Sequence, residues 1–144
     1  MKLAVVLDTN VLVAGLSSRN GASNRVLEYL LDGAFSLLVT PALWLEYESV
    51  LKREAMLAKH GYATEEIDAL LDAFAKFTVP VRLHYLWRPQ LHDPGDEMVL
   101  ELAINGQADA LVTFNLRDFA VAAPRFGLCL RTPAELLKLL EKKR

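Results

Sequence analysis

The sequence predicts a single α/β domain over residues 1–144, a parallel sheet wrapped by helices on both sides. Three observations carry that reading. Strand-like and helix-like segments alternate along the chain. The first strand, Leu3-Ala4-Val5-Val6-Leu7, is a continuous apolar run, the pattern of a strand covered on both faces. Polar and acidic residues also gather just past strand ends, where open α/β sheets place their sites.

Taken in order, the first strand ends at Asp8-Thr9-Asn10, and Val11 to Leu16 reads as a short helix. After the loop Ser17 to Gly21, Ser23 is expected to cap a helix that buries Val26, Leu27, Leu30 and Leu31. Gly33 closes it. Phe35 to Val39 is the second strand. Thr40-Pro41 starts a helix that carries Glu46 and runs to about Glu54, and Thr64-Glu65-Glu66 caps the next. Val79, Val81, Leu83 and Tyr85 alternate with other residues, which suggests a third strand reaching His84. Asp93-Pro94-Gly95-Asp96-Glu97 begins a helix: an N-cap, a proline at the first position, then acids that suit the dipole. It should end at Asn105, with Gly106 in the left-handed position. Ala110-Leu111-Val112 is a fourth strand, Gly127 to Arg131 a fifth, and Thr132-Pro133-Ala134-Glu135 a capping box opening the last helix.

Composition sets limits. A hydrophobic fraction of 53% leaves room for buried helices or an oligomer contact. No apolar run approaches the length of a membrane span and no secretory signal is visible, which points to the cytosol. Cys129 is the one cysteine, so neither an intramolecular disulfide nor a cysteine metal cluster can form. It reads as packing in a buried strand. The formal charge of −2 does not advertise a nucleic-acid binder, although a local basic rim can do that work.

Several acids need explaining. Asp8 directly follows the first strand, and its ordinary reading is an N-cap, which Thr9 or Asn10 could serve equally. Glu46 borders an apolar stripe between Leu45 and Tyr47. Its neighbour Glu48 has Lys52 four residues on, whereas Glu46 has no such cation. A carboxylate leaning toward a core must find a metal, a hydrogen-bond donor or a raised pKa. Asp96 precedes Val99, Leu100 and Ala103 by three, four and seven residues, so it tops the buried stripe of its helix. Asp93 is explained by capping alone. Past the fourth strand, Asn115 stands closer to the strand end while Asp118 carries a charge. Carboxylates meeting in one cavity repel each other without a cation. Oxygen ligands without cysteine suit Mg²⁺ or Mn²⁺ and not zinc. His60, His84 and His92 have no partner at metal-ligand spacing and take no role. Trp44, Tyr47 and Trp87 could stack on bases, but packing is the simpler reading.

In order and spacing, LDTNVLVAGL, LWLEYESVL, DPGDEMVLELA and ADALVTFNLRDF resemble the PIN-domain nucleases. The likeness covers essentially the whole chain and is nearest to the VapC-like toxin branch of prokaryotic type II toxin–antitoxin systems. It implies a three-layer sandwich with a parallel sheet of about five strands. Its acids fall on Asp8, Glu46 and Asp96, with Thr9 and Asn10 as small polar followers. At the fourth position many members carry an aspartate, and this chain has Asn115. A subset keeps an acid three residues later, here Asp118. The resemblance implies a cytoplasmic endoribonuclease using Mg²⁺ or Mn²⁺ on Asp8, Glu46, Asp96 and Asp118. Asp93, Thr113 and Asn115 would support the site, and Arg19, Lys52, Arg53 and Arg117 would meet the RNA. A homodimer and a cognate antitoxin protein are the implied partners. Two rival classes are a degenerate binding module of the same fold, which Asn115 favours, and a haloacid-dehalogenase-type phosphohydrolase. The latter wants an aspartate where Asn10 stands, and a phosphorylation-receiver domain would want an acidic pair that Lys2 to Leu7 lack.

Overall fold

The computed structural model describes residues 2–84, 91 and 93–143. The expectations placed on Tyr85, Trp87 and His92 lie outside these residues. Five parallel strands form one sheet: β1 (Leu3–Leu7), β2 (Phe35–Val39), β3 (Thr78–Pro80), β4 (Ala110–Val112) and β5 (Leu130–Arg131). Their order is β3-β2-β1-β4-β5. The chain builds outward from β1 to β2 and β3, then returns to lay β4 on the other flank of β1. The order therefore reverses between β1 and β4, the place where open sheets of this type leave a crevice.

Between β1 and β2 come α1 (Thr9–Ser17) and α2 (Ala22–Leu31). Between β2 and β3 come α3 (Pro41–Leu51), α4 (Glu54–His60) and α5 (Thr64–Ala75). Helix α6 (Pro94–Asn105) precedes β4, the short α7 (Leu116–Phe119) and a 3-10 turn (Ala123–Phe126) precede β5, and α8 (Pro133–Lys142) follows it. Helix α6 packs on β1, β2 and β4, while α8 packs on α2, β4 and β5. The sheet is thus flanked by helices, and Val5, Val6 and Leu7 are fully buried at its centre. That double cover is why β1 reads as an unbroken apolar run. Gly15 lets α1 and α2 close on each other, because a Cβ there would lie 2.5 Å from Leu27.

Several boundaries differ from expectation. The third strand stops at Pro80. Its partner β2 ends at Val39, since Thr40 turns away to cap α3, so Val81 N–H to the Val39 carbonyl is the last ladder bond. Residues 81–84 are not strand, and His84 gives its N–H to the Asn105 side chain at 2.8 Å. Helix α3 ends at Leu51, not near Glu54, and Arg53 takes an extended conformation before α4. The His60 ring closes that joint. Its Nδ1 accepts from the Tyr62 N–H, so Nε2 carries the proton and donates to the Leu51 carbonyl at 2.9 Å. Gly21, not Ser23, is the N-cap of α2, and Ser23 is buried inside the first turn. Gly106 is right-handed (φ −85°), and Gln107 takes the positive φ instead. Glycine at 106 answers to crowding, since a Cβ would meet Leu38 at 2.8 Å. The fifth strand shrinks to Leu130–Arg131, leaving Cys129 half-buried just before it.

Candidate active site at the β1–β4 crevice

The site begins with the ends of two neighbouring strands. Asp8 leaves β1 in an extended conformation and caps α1, and its Oδ1 accepts from the Thr9 N–H at 2.8 Å. Thr113 leaves β4 beside it, and its hydroxyl donates to Asp8 Oδ2 at 2.8 Å. The same hydroxyl oxygen accepts from the Asn115 N–H at 3.0 Å, which folds the loop after β4 back toward the crevice. Asp8 is only 7% exposed. Burial pushes its carboxyl above the ordinary range; the two hydrogen bonds hold it down in part, and the charges of Glu46 and Asp93 add to the rise. A carboxylate has about four lone-pair positions, so two remain for something else.

Helix α3 brings the second acid. Thr40 caps that helix, accepting from the Leu43 N–H, and Pro41 occupies its first turn. Glu46 is half-buried, and the Thr9 hydroxyl donates a short hydrogen bond to its Oε2. The adjacent Tyr47 is fully buried, and its hydroxyl donates to the carbonyl of Leu7, the residue before Asp8. Thr9 and Tyr47 therefore tie α3 to the end of β1 at the level of both acids. Burial raises the Tyr47 phenol well above its ordinary value, and the charges of Asp8 and Glu46 push the same way.

Helix α6 brings the third. Asp93 is its N-cap, accepting from the Gly95 N–H at 2.7 Å, and Pro94 and Asp96 fill its first turn. Asp96 is half-buried, and its carboxyl is pushed up to about 6. Burial is the main cause, followed by the charges of Asp8, Asp93, Asp118 and Glu46. Gly95 sits among these groups: a Cβ there would come within 3.1 Å of Asp93 Oδ1 and 3.5 Å of Glu46 Oε1.

Asp8, Thr9, Asn10, Glu46, Asp93, Asp96 and Asn115 line one open cavity of about 330 Å³, with Arg53 on its wall. Thr113 acts from beneath, through Asp8. Asp118 is exposed in the first turn of α7 and does not line the cavity, although its charge reaches Asp96. Among the other basic residues, Lys52 is engaged by Glu48 at 2.7 Å and Asp68 at 2.5 Å. Arg19 and Arg117 are exposed away from the cavity lining. Sequence reasoning gave Arg53 no more weight than these, because its place on the wall depends on the break between α3 and α4. Trp44 is half-buried and meets Tyr47 edge to face at 5.9 Å, so both rings serve packing.

This donor set is oxygen throughout, which fits a hard divalent cation. Among the described residues, no three His, Cys, Asp or Glu side chains stand close enough together to ligate one ion as placed. Asp8, Glu46 and Asp96 all line the cavity, and holding one ion among them would require these side chains to draw closer.

A parallel α/β sheet with a carboxylate-lined crevice at its switch point belongs to the open-sheet class that binds its ligands at strand ends. A profile of the PIN domain matches residues 4–117. The chain belongs to the PIN-domain family, the nuclease family that its sequence blocks resemble. Among solved structures, it is similar to a chain of VapBC2 from Rickettsia felis, determined bound to a DNA fragment from its promoter. The TM-score is 0.60 at 17% identity, covering 90% of this chain and 98% of that one. At that identity the likeness is one of fold. No curated protein matches the sequence. No described helix is long and apolar enough to cross a membrane.

Proposed function

We propose that this protein is a Mg²⁺- or Mn²⁺-dependent endoribonuclease and the toxin of a toxin–antitoxin pair, its 144 residues acting as one domain in a cytoplasmic homodimer. The observation that carries this reading is the set Asp8, Glu46, Asp93 and Asp96 around one cavity at the strand-order reversal. Family membership supports nuclease chemistry, and the fold shared with VapBC2 supports an antitoxin partner.

Asp8, Glu46 and Asp96 would hold the ion. When bound, it activates water and neutralises charge on the phosphate. The chain's own residues prepare for that event. Thr113 and the Thr9 N–H fix both oxygens of Asp8, and the Thr9 hydroxyl aims Glu46. Burial and the neighbouring carboxylates push the Asp96 carboxyl up to about 6, and a bound cation would favour its ionised form. The Arg53 guanidinium meets a phosphate on the cavity wall, and the Asn115 side chain supplies neutral polar atoms opposite. Asp118 acts from outside the lining, through its charge on Asp96. Arg19 and Arg117 extend the basic rim along the RNA.

The test is cleavage of single-stranded and structured RNAs with Mn²⁺, Mg²⁺ or EDTA, beside Asp8→Asn and Asp96→Asn purified identically. Metal-dependent cutting abolished by both substitutions is the expected result. Cutting that survives both refutes the site. Asn115 on the cavity wall, where an acid would complete the set, favours a second reading, a binding module without turnover. Folded protein that takes up Mn²⁺ and RNA but cuts nothing would establish that reading instead. Toxin status is read separately: induced expression should arrest growth, and Asp8→Asn should relieve the arrest.

A further inference from the structure

A second cavity, of about 490 Å³ and almost wholly apolar, adjoins the acidic one. No residue lines both, but the same elements supply both. Helix α1 gives Asn10 and Val13 to the acidic cavity and Ala14, with its C-cap Ser18, to the apolar one. The loop after β4 does the same within three residues. Thr113 holds Asp8, Phe114 lines the apolar cavity, and Asn115 returns to the acidic one. Phe114 is 52% exposed, a large ring left in water beside the carboxylates.

We propose that Phe114 and this cavity bind one unpaired nucleobase of the RNA, next to the phosphate seated at the acidic cavity. This inference rests on the endoribonuclease reading above. Adjacency of the two linings selects the occupant. Neighbouring residues serve the two cavities, Val13 and Ala14 on α1 and Asn115 and Phe114 after β4, so a nucleotide whose phosphate sits at the acidic cavity has its base beside the apolar one. The lining suits a base as well. Phe114, Pro133 and Ala134 offer apolar surface for a π-face. A paired base cannot be splayed into such a cavity, so the site selects single-stranded segments, loops and bulges.

The test measures binding of a short single-stranded RNA by fluorescence anisotropy, with Ca²⁺ in place of Mg²⁺ to suppress cutting. An abasic site is walked along the RNA. Wild type should lose about 5- to 150-fold in affinity at one position, the worth of one stacked base. Phe114→Ala should lose a similar factor with intact RNA and become insensitive to the abasic site there, while Phe114→Tyr keeps both the affinity and the sensitivity. The walk on unaltered protein makes the result independent of any folding defect in the variants. An abasic profile that is flat in wild type overturns the proposal. So does a Phe114→Ala variant that keeps the wild-type profile, or one whose sole change is in oligomeric mass, which would assign the cavity to a protein partner. Wild type that cuts RNA yet shows no such coupling defeats this inference alone. Wild type that neither binds nor cuts RNA defeats the endoribonuclease reading as well.

Discussion

Replacing Asp96 with asparagine should stabilise the ion-free protein while removing its function. The carboxyl is pushed from 3.8 up to about 6 by burial and by four neighbouring acids, a change worth about 3 kcal/mol at full strength. Asp96 is only half-buried, so solvent screening cuts this to about 1.5 kcal/mol. Its place in the first turn of α6 returns about 0.5 kcal/mol, because the helix dipole favours the negative charge that asparagine lacks. About 1 kcal/mol remains. The folded-state pKa lies above the unfolded one, so the protonated form favours the fold. Stability contributed by Asp96 is therefore fully present below about pH 4, falls as pH rises through 6, and stays lost above. Thermal unfolding in EDTA from pH 4 to 8 should show no advantage for Asp96→Asn at the acid end. At pH 7 the variant should melt about 3 °C higher. With Mn²⁺ at about 100 times its dissociation constant, wild type should gain about 2.7 kcal/mol and overtake a variant that gains much less. A variant less stable than wild type at pH 7 in EDTA would refute the electrostatic account of the cavity.

Other expectations follow from the same geometry. Tyr47→Phe removes the donor to the buried Leu7 carbonyl, costing about 1–3 kcal/mol in chemical denaturation; because that bond also ties Glu46 to Asp8, Mn²⁺ affinity in calorimetry should fall too. Thr113→Val takes a hydrogen bond from Asp8. It pushes that carboxyl higher still, so the loss of stability should be larger at pH 7 than at pH 4. An equal loss at both values would mean the threonine acts only by packing. Asn115→Asp adds a charge to the cavity wall and should lower the ion-free melting temperature while enlarging the Mn²⁺-induced rise. Arg53→Ala should weaken single-stranded RNA binding and reduce the slope of log affinity against log salt by about 0.7; an unchanged slope would remove it from the phosphate path.

The parallel sheet and several of its element boundaries were legible because the signals were local. Asp8 after an unbroken apolar run, Thr40-Pro41, Asp93-Pro94 and Thr132-Pro133 each announce an element boundary in adjacent residues, and each cap forms as read. What stayed hidden depends on residues far apart in sequence. The end of β3 is set by where β2 leaves the sheet, and the alternation through Leu83 carries no trace of that. The break after Leu51 has no glycine or proline to mark it; it is held by His60, nine residues on. Gly106 does follow the last residue of α6, but in a right-handed conformation, and what requires glycine there is a leucine from β2.

The same division explains the acids. Glu46 reads as a carboxylate in need of a partner, and sequence could name a metal, a donor or a shifted pKa. It could not show that Thr9, adjacent to Asp8, is the donor. That hydrogen bond matters for how the crevice survives without an ion. Asp8 is held by two donors and Glu46 by one, while burial and its neighbours push the Asp96 carboxyl up to about 6. The charge left unbalanced thus concentrates on the acid from α6, the helix that packs across β1, β2 and β4. A cation entering the crevice would act chiefly on that one residue. Its binding should therefore be the most pH-sensitive step of the protein's chemistry, weakening as pH falls through about 6. Mn²⁺ affinity that is flat from pH 5 to 8 would place the ion elsewhere.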